Sequence, residues 1–251
     1  MSKFGLGKTD CWCGCSDYTE ISGDWRNVRG TSFVIRECDE CKTSRTVSCK
    51  FRPYTEGIYS SGLSRRQKNS IGTIREYCSG RVLDIGCSCG EILQALRDVH
   101  NKDERFTAFT GIDYNREAIS TGRESFDLDL ICGDLDDLSG RKYDSIVLIH
   151  TFEHVEKPFE FLHNLKSLLD ADGEKLLYIC VPNIGCLGSH EDYFGWGALD
   201  PREHYWHYNQ ASLVSVIKTA YEDCEILYQG TSSIWKRDEG QLEIVVKLKE
   251  V

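Results

Sequence analysis

From Arg81 onward the chain alternates short, near-continuous apolar runs with segments whose apolar positions recur at helical spacing. RVLDI, FTAFTGID, LDLICGD, YDSIVLI and GEKLLYICVPN read as strands. GEILQALRDV, NREAISTGRE and FEFLHNLKSLL read as the helices between them. Strands that are apolar on both faces and separated by helices predict a doubly wound α/β sheet, mostly parallel and covered on both sides. An aromatic loop at 193–208 follows, then a helix over about 210–221. Two last runs, CEILYQG and LEIVVKLK, have only a short link between them and predict an antiparallel hairpin at one edge. Upstream the pattern changes. Residues 1–52 are rich in Cys, Gly and polar side chains, with β-like runs only at Thr31–Arg36 and Arg45–Cys49. Pro53–Gly62 reads as a linker and Ser64–Tyr77 as a helix. The expected organisation is therefore a small module over 1–52, a linker over 53–62 and one α/β domain over 63–251.

Composition narrows the setting. The chain has 251 residues, 40% hydrophobic and 28% charged. No stretch approaches the roughly 20 apolar residues needed to cross a bilayer, and the first residues lack the apolar run of a signal peptide. A cytoplasmic location is expected, and it decides how the thirteen cysteines are read. Close Cys pairs in a reducing compartment favour metal over disulfides. The net charge of −10 is uneven: residues 1–80 carry +4 and the remainder −14. So acidic a remainder argues against a nucleic-acid backbone as partner.

The strand ends carry the chemistry. Val82-Leu83-Asp84-Ile85-Gly86-Cys87-Ser88-Cys89-Gly90 runs a buried strand into an acid and then into a Gly-x-x-x-Gly turn. Glycine there lets the backbone turn sharply and approach a ligand in the crevice beyond the strand ends. The spacing is not G-x-G-x-x-G, so no pyrophosphate is implied. Two further strands also end in acids: Gly111-Ile112-Asp113, and Cys132-Gly133-Asp134-Leu135. Each acid on its own is also suited to capping a helix or turn.

With VLDIGCSCG, TGIDYN, CGDLDDL, YDSIVLIHTFEHVEKP and GEKLLYICVPN in this order, residues 63–250 resemble the class I S-adenosylmethionine (SAM)-dependent methyltransferases. That resemblance implies a Rossmann-like sheet of seven strands with the last antiparallel. It places Asp84, Gly86 and Gly90 at the methionine end of SAM and Asp113 on the ribose. Asp134 and Leu135 would frame the adenine, and Cys87, Tyr114 and His150 would complete the cofactor pocket.

Methyl transfer to a hydroxyl needs alignment and often a general base. After the fourth strand of this domain comes His150-Thr151-Phe152-Glu153-His154-Val155, and His154 is the expected base, with neutral imidazole working near neutral pH. The other reading of Glu153 and His154 is that they cap the next helix. His204, within Glu203-His204-Tyr205-Trp206-His207-Tyr208, lies where this fold covers its acceptor. The segment EHYWHYNQASL resembles one common in small-molecule and sugar methyltransferases. The small-RNA 2′-O-methyltransferases carry a Glu-x-x-Glu-His motif and a later His that bind a divalent metal. His150, Glu153, His154 and His204 resemble that set with the first glutamate replaced by histidine, which suits a transition metal better than magnesium.

In the N-terminal module, Cys38-Asp39-Glu40-Cys41 is a C-x-x-C knuckle, and Cys11-Trp12-Cys13-Gly14-Cys15 supplies its mate. A structural zinc on Cys11, Cys13, Cys38 and Cys41 is expected, with Cys15 or Cys49 as substitutes. The module resembles the zinc ribbons that precede bacterial methyltransferases acting on nucleotide-linked sugars. The expected function is SAM-dependent methyl transfer to a hydroxyl of a small polar acceptor, a sugar or related metabolite. Two alternatives stand beside it: an RNA-modifying enzyme of the 2′-O type whose ribbon grips nucleic acid, and a non-catalytic SAM-binding regulator.

Overall fold

The computed structural model describes residues 11–26, 30–49, 63, 65–100, 104–186, 191–232 and 240–249. The expected linker at 53–62 lies outside them.

Seven strands build the main sheet: β4 (Gly80–Ile85), β5 (Phe106–Asp113), β6 (Asp129–Cys132), β7 (Ser145–Ile149), β8 (Leu176–Pro182), β10 (Cys224–Ser232) and β11 (Gln241–Leu248). Their order is β10-β11-β8-β7-β4-β5-β6. All neighbours pair in parallel except β11, which runs against both β8 and β10. The expected mostly parallel sheet is therefore present, with its last strand reversed inside an edge hairpin.

Alternation along each strand explains the helices on both faces. Leu83, Ile146, Leu148, Leu177 and Ile179 point to one side, where they pack with α4 (Pro158–Lys166) and α5 (Gln210–Ala220) through Leu162, Leu165, Leu213, Val216 and Ile217. Val82, Val147, Tyr178 and Val245 point to the other. There they meet α1 (Arg65–Tyr77), α2 (Glu91–His100) and α3 (Arg116–Ser125) through Ile74, Ile92, Leu93, Leu96 and Ile119. A period of two on a doubly covered sheet makes every strand position apolar, which is why the runs are continuous in the sequence.

The N-terminal residues form a second, antiparallel sheet of β1 (Tyr18–Asp24), β2 (Ser32–Cys38) and β3 (Ser44–Cys49). Its fourth strand comes from far along the chain. β9 (Trp206–His207) pairs with β3, Ser44 opposite His207 and Arg45 opposite Trp206. Trp12 packs on the same seam, its ring 4.9 Å from Trp206 and 5.6 Å from Phe159.

Candidate active site

At the carboxyl end of β4 the backbone turns at Gly86, whose φ is +79°. A Cβ there would stand 2.3 Å from Thr151 Oγ1, so the position admits only glycine. The Thr151 hydroxyl donates in turn to the Ile85 carbonyl at 3.0 Å, tying the ends of β4 and β7 together. Ser88 and His150, on the same rim, also have positive φ at +52°. Two non-glycine residues held in the left-handed region beside one crevice mark backbone that the surrounding structure constrains.

Asp113, at the end of β5, is fixed from both sides. Its Oδ2 accepts from the Ser88 amide at 2.9 Å and its Oδ1 from the Asn115 amide at 2.8 Å. Burial raises the Asp113 carboxyl and the two amides partly offset it. Asp84 lies deeper, 2% exposed. Burial, followed by the charges of Asp113 and Glu91, pushes its carboxyl up to about 8. Asp134 caps the short turn Leu135–Leu138 by accepting from the Asp136 amide at 2.9 Å, so it does the capping work allowed for such an acid while also facing the crevice.

The crevice is a cleft of about 220 Å³. Its lining combines Gly86, Asp113, Tyr114, Asp134 and Leu135 with a histidine segment, His150, Thr151, His154 and Val155, and with Phe161. The structure thus brings six of the nine expected cofactor residues to one cleft. Asp84, Cys87 and Gly90 are buried outside its lining. Thr151, Val155 and Phe161 were not singled out in the sequence. Thr151 carried a signal in its place, directly after a strand end that faces the glycine turn.

The histidine wall is held by its own bonds. His150 Nδ1 lies 3.2 Å from Glu153 Oε1. Burial works to raise the Glu153 carboxyl, but the His150 hydrogen bond, with the other histidines beside it, outweighs burial and holds the group at about 2. An ionised carboxylate only accepts, so His150 Nδ1 carries the proton. Glu153 Oε2 and His150 Nε2 are buried without a hydrogen-bond partner among the described residues. His154 Nδ1 is 3.0 Å from the Glu203 carbonyl, which can only accept, so Nδ1–H donates and Nε2 is the accepting nitrogen. The rings of His154 and His204 stand 4.8 Å apart, edge to face. Burial drives His204 and His207 down to about 3, so both are neutral at physiological pH. One ligand atom each from Glu153, His154 and His204 lie within 4.8 Å of one another, near enough to share a cation.

The sequence model of the methyltransferase domain family matches residues 63–220, more than half of the chain. The chain belongs to this family. It is a SAM-dependent methyltransferase of the class I type. A search of the curated proteins finds no match. Among solved structures, the plantazolicin methyltransferase BpumL in complex with S-adenosylhomocysteine (SAH) aligns with a TM-score of 0.52 at 19% identity, covering 73% of this chain and 82% of that one. A Burkholderia thailandensis 1,6-didemethyltoxoflavin-N1-methyltransferase reaches 0.56 at 13% identity over 74% and 80%. The N-methyltransferase NodS from Bradyrhizobium japonicum reaches 0.54 at 14% identity over 78% and 94%. At these identities the likeness is one of fold.

The methyltransferase also holds a four-cysteine cluster beside its catalytic domain. Cys11 Sγ is 3.3 Å from Cys41 Sγ, and Cys13 Sγ is 3.5 Å from Cys38 Sγ. All four sulfurs lie within 4.8 Å of one another, and these are the four residues the sequence singled out. Each pair is followed by a left-handed residue, Gly14 at φ +87° and Lys42 at +57°, which turns the chain back as a knuckle requires. The Cys15 thiol donates to the Asp17 carbonyl and also lies against Cys38 at the edge of the cluster. Four converging thiols with no disulfide among them are a donor set suited to tetrahedral zinc.

Proposed function

We propose that this methyltransferase transfers the SAM methyl group to a hydroxyl of a small polar acceptor, a sugar or related metabolite. The observation that carries the reading is that a single cleft is lined by Gly86, Asp113 and Asp134, expected to grip the cofactor, and by His150 and His154. Bound SAM supplies a methyl group on a sulfonium. Gly86 gives that ligand room, Asp113 holds its ribose, and Asp134 with Leu135 frames its adenine. Asp84, buried behind the Gly86 turn, faces the methionine end from beneath the cleft lining. The acceptor oxygen bonds the methyl carbon as the carbon–sulfur bond breaks, and the acceptor's proton leaves through His154, whose Nε2 is the accepting nitrogen. His204, buried behind the cleft lining, packs its ring 4.8 Å from His154 and holds that imidazole toward the acceptor. Zinc on Cys11, Cys13, Cys38 and Cys41 completes the ribbon. A cytoplasmic setting fits thirteen cysteines with no disulfide, and no described helix is long and apolar enough to cross a membrane.

The second reading, a metal-assisted 2′-O-methyltransferase of RNA, is favoured by one observation. Glu153, His154 and His204 converge, and Glu153 Oε2 is buried and unpartnered. The charge of −14 over residues 81–251 opposes a phosphate backbone near the cleft.

The test is a screen of sugars, small alcohols and short RNAs for SAH release, run beside His154→Gln. Turnover of a hydroxyl acceptor that falls about 10²–10⁴-fold in the variant supports the proposal. Turnover confined to amines, or unchanged in His154→Gln, overturns it. Turnover confined to RNA and dependent on added Mn²⁺ selects the second reading.

A further inference from the structure

β9 has only two residues, too few to hold its place by strand pairing alone. Its position is nevertheless determined from two sides. On the ribbon side, the Thr46 amide donates to the Tyr205 carbonyl at 2.9 Å. Thr46 Oγ1 lies 2.8 Å from His207 Nε2, a buried contact. The Asn209 side-chain amide donates to the Lys42 carbonyl at 3.1 Å. On the catalytic side, the Tyr205 amide donates to the Glu153 carbonyl at 3.0 Å, and Trp206 Nε1 donates to the Glu156 carbonyl at 3.1 Å. The segment that carries His204 is therefore suspended between the ribbon and the residues that carry Glu153 and His154.

β3 is short as well, and what fixes its start is the Cys38–Cys41 knuckle. The Cys38 amide donates to the Thr43 carbonyl at 2.9 Å, and the Lys42 amide to the Cys38 carbonyl at 3.0 Å. Thr43 and Thr46 are each 2% exposed. A continuous path thus leads from the thiol cluster through β3 to the histidine wall. The cofactor turn meets this path through Thr151, whose hydroxyl donates to the Ile85 carbonyl and whose own carbonyl accepts from the His154 amide. Gly86 and Asp113 are held by bonds among β4, β5 and the turns that follow them.

We propose that Thr46 is a positioning residue for the acceptor wall, and that the four-cysteine site sets the place of Thr46. With a metal on the four thiols, residues 204–208 are held against Glu153 and His154. With the metal gone, this wall loosens while the cofactor wall keeps its geometry. The ribbon is then part of the acceptor site, although its own residues stand outside the cleft. This rests on the histidine segment being the acceptor wall, as argued above.

The test uses the full chain with zinc bound, after chelation, and as Thr46→Val and Thr46→Ser. Amide hydrogen exchange is followed residue by residue, and SAH binding by calorimetry. In Thr46→Val, exchange at Tyr205, Trp206 and His207 is expected to rise at least tenfold. Thr46→Ser, which keeps the hydroxyl, restores protection, and chelation raises exchange further. SAH affinity stays within about twofold throughout, and β4, β5 and β8 keep their protection. Unchanged exchange at 205–207 in Thr46→Val overturns the proposal. Chelation that loosens β4 and β5 as much as β9 also overturns it, because the ribbon then supports the whole fold. An amine acceptor would remove the hydroxyl reading and leave these exchange results standing, so the two failures are distinguishable.

Discussion

Single residues at the strand ends carry opposed demands, and Asp84 shows them most clearly. It is buried beside Asp113 and Glu91, and its carboxyl is pushed up to about 8. Between the ordinary aspartate value and 8 the native state holds a proton that the unfolded chain has released, so stability falls as pH rises through that window. Asp84→Asn is expected to flatten the fall. Thermal melts from pH 5 to 9 should show the variant losing less than wild type, by on the order of 2 kcal/mol, or 4–8 °C at this size. A parallel pH dependence in both proteins would contradict the assignment. The same variant should bind SAM more weakly, because it removes the carboxylate that the cationic methionine end stabilises. Gly86→Ala meets two penalties, a positive φ and the Thr151 hydroxyl, and is expected to cost about 2 kcal/mol in chemical denaturation and to abolish SAM binding. The Asp84, Gly86, Asp113 and Asp134 positions were legible in the sequence, because strand ends that face a crevice announce themselves as an apolar run stopped by Gly or Asp. Which of them line the cleft was not legible. Asp84 and Gly90 sit behind the wall for reasons of packing between neighbouring strands, which no local pattern records.

At the scale of elements, the strands of the main sheet were readable because both their faces are covered, which leaves continuous apolar runs. β1 and β9 were not. Tyr18–Asp24 is an edge strand of mostly exposed, polar residues without the alternation of a half-buried strand, and β9 is two residues whose only strand partner among the described residues is the distant β3. Trp12 was equally silent in the sequence, since its partners Phe159, Trp206 and Tyr208 lie more than a hundred residues away. That seam is the contact between the ribbon and the catalytic domain. Trp12→Ala is expected to destabilise the chain by about 2 kcal/mol, less than a fully buried aromatic would cost. The loss should appear in denaturant melts as a lower midpoint, together with faster exchange at Trp206. A variant as stable as wild type would show that the seam contributes nothing. The four cysteines singled out by spacing converge because knuckle geometry is local, a pair of thiols and one tight turn on each side.

For the molecule as a whole, charge and the cleft act together. The catalytic region carries −14, whereas residues 1–80 carry +4, so any attraction to phosphates belongs to the ribbon side. Binding of a short RNA, if present, should fall steeply between 50 and 200 mM salt, whereas turnover of a neutral sugar should be nearly indifferent to it. The central claim is that the glycine turn and Asp113 make one SAM site. The most direct test is calorimetric titration of SAM into the zinc-loaded full chain and into Asp113→Ala. Wild type should bind one equivalent with micromolar affinity, and the variant should bind at least tenfold more weakly, a loss of about 1.4 kcal/mol. No binding by folded wild-type protein, or equal affinity in the variant, would contradict the account.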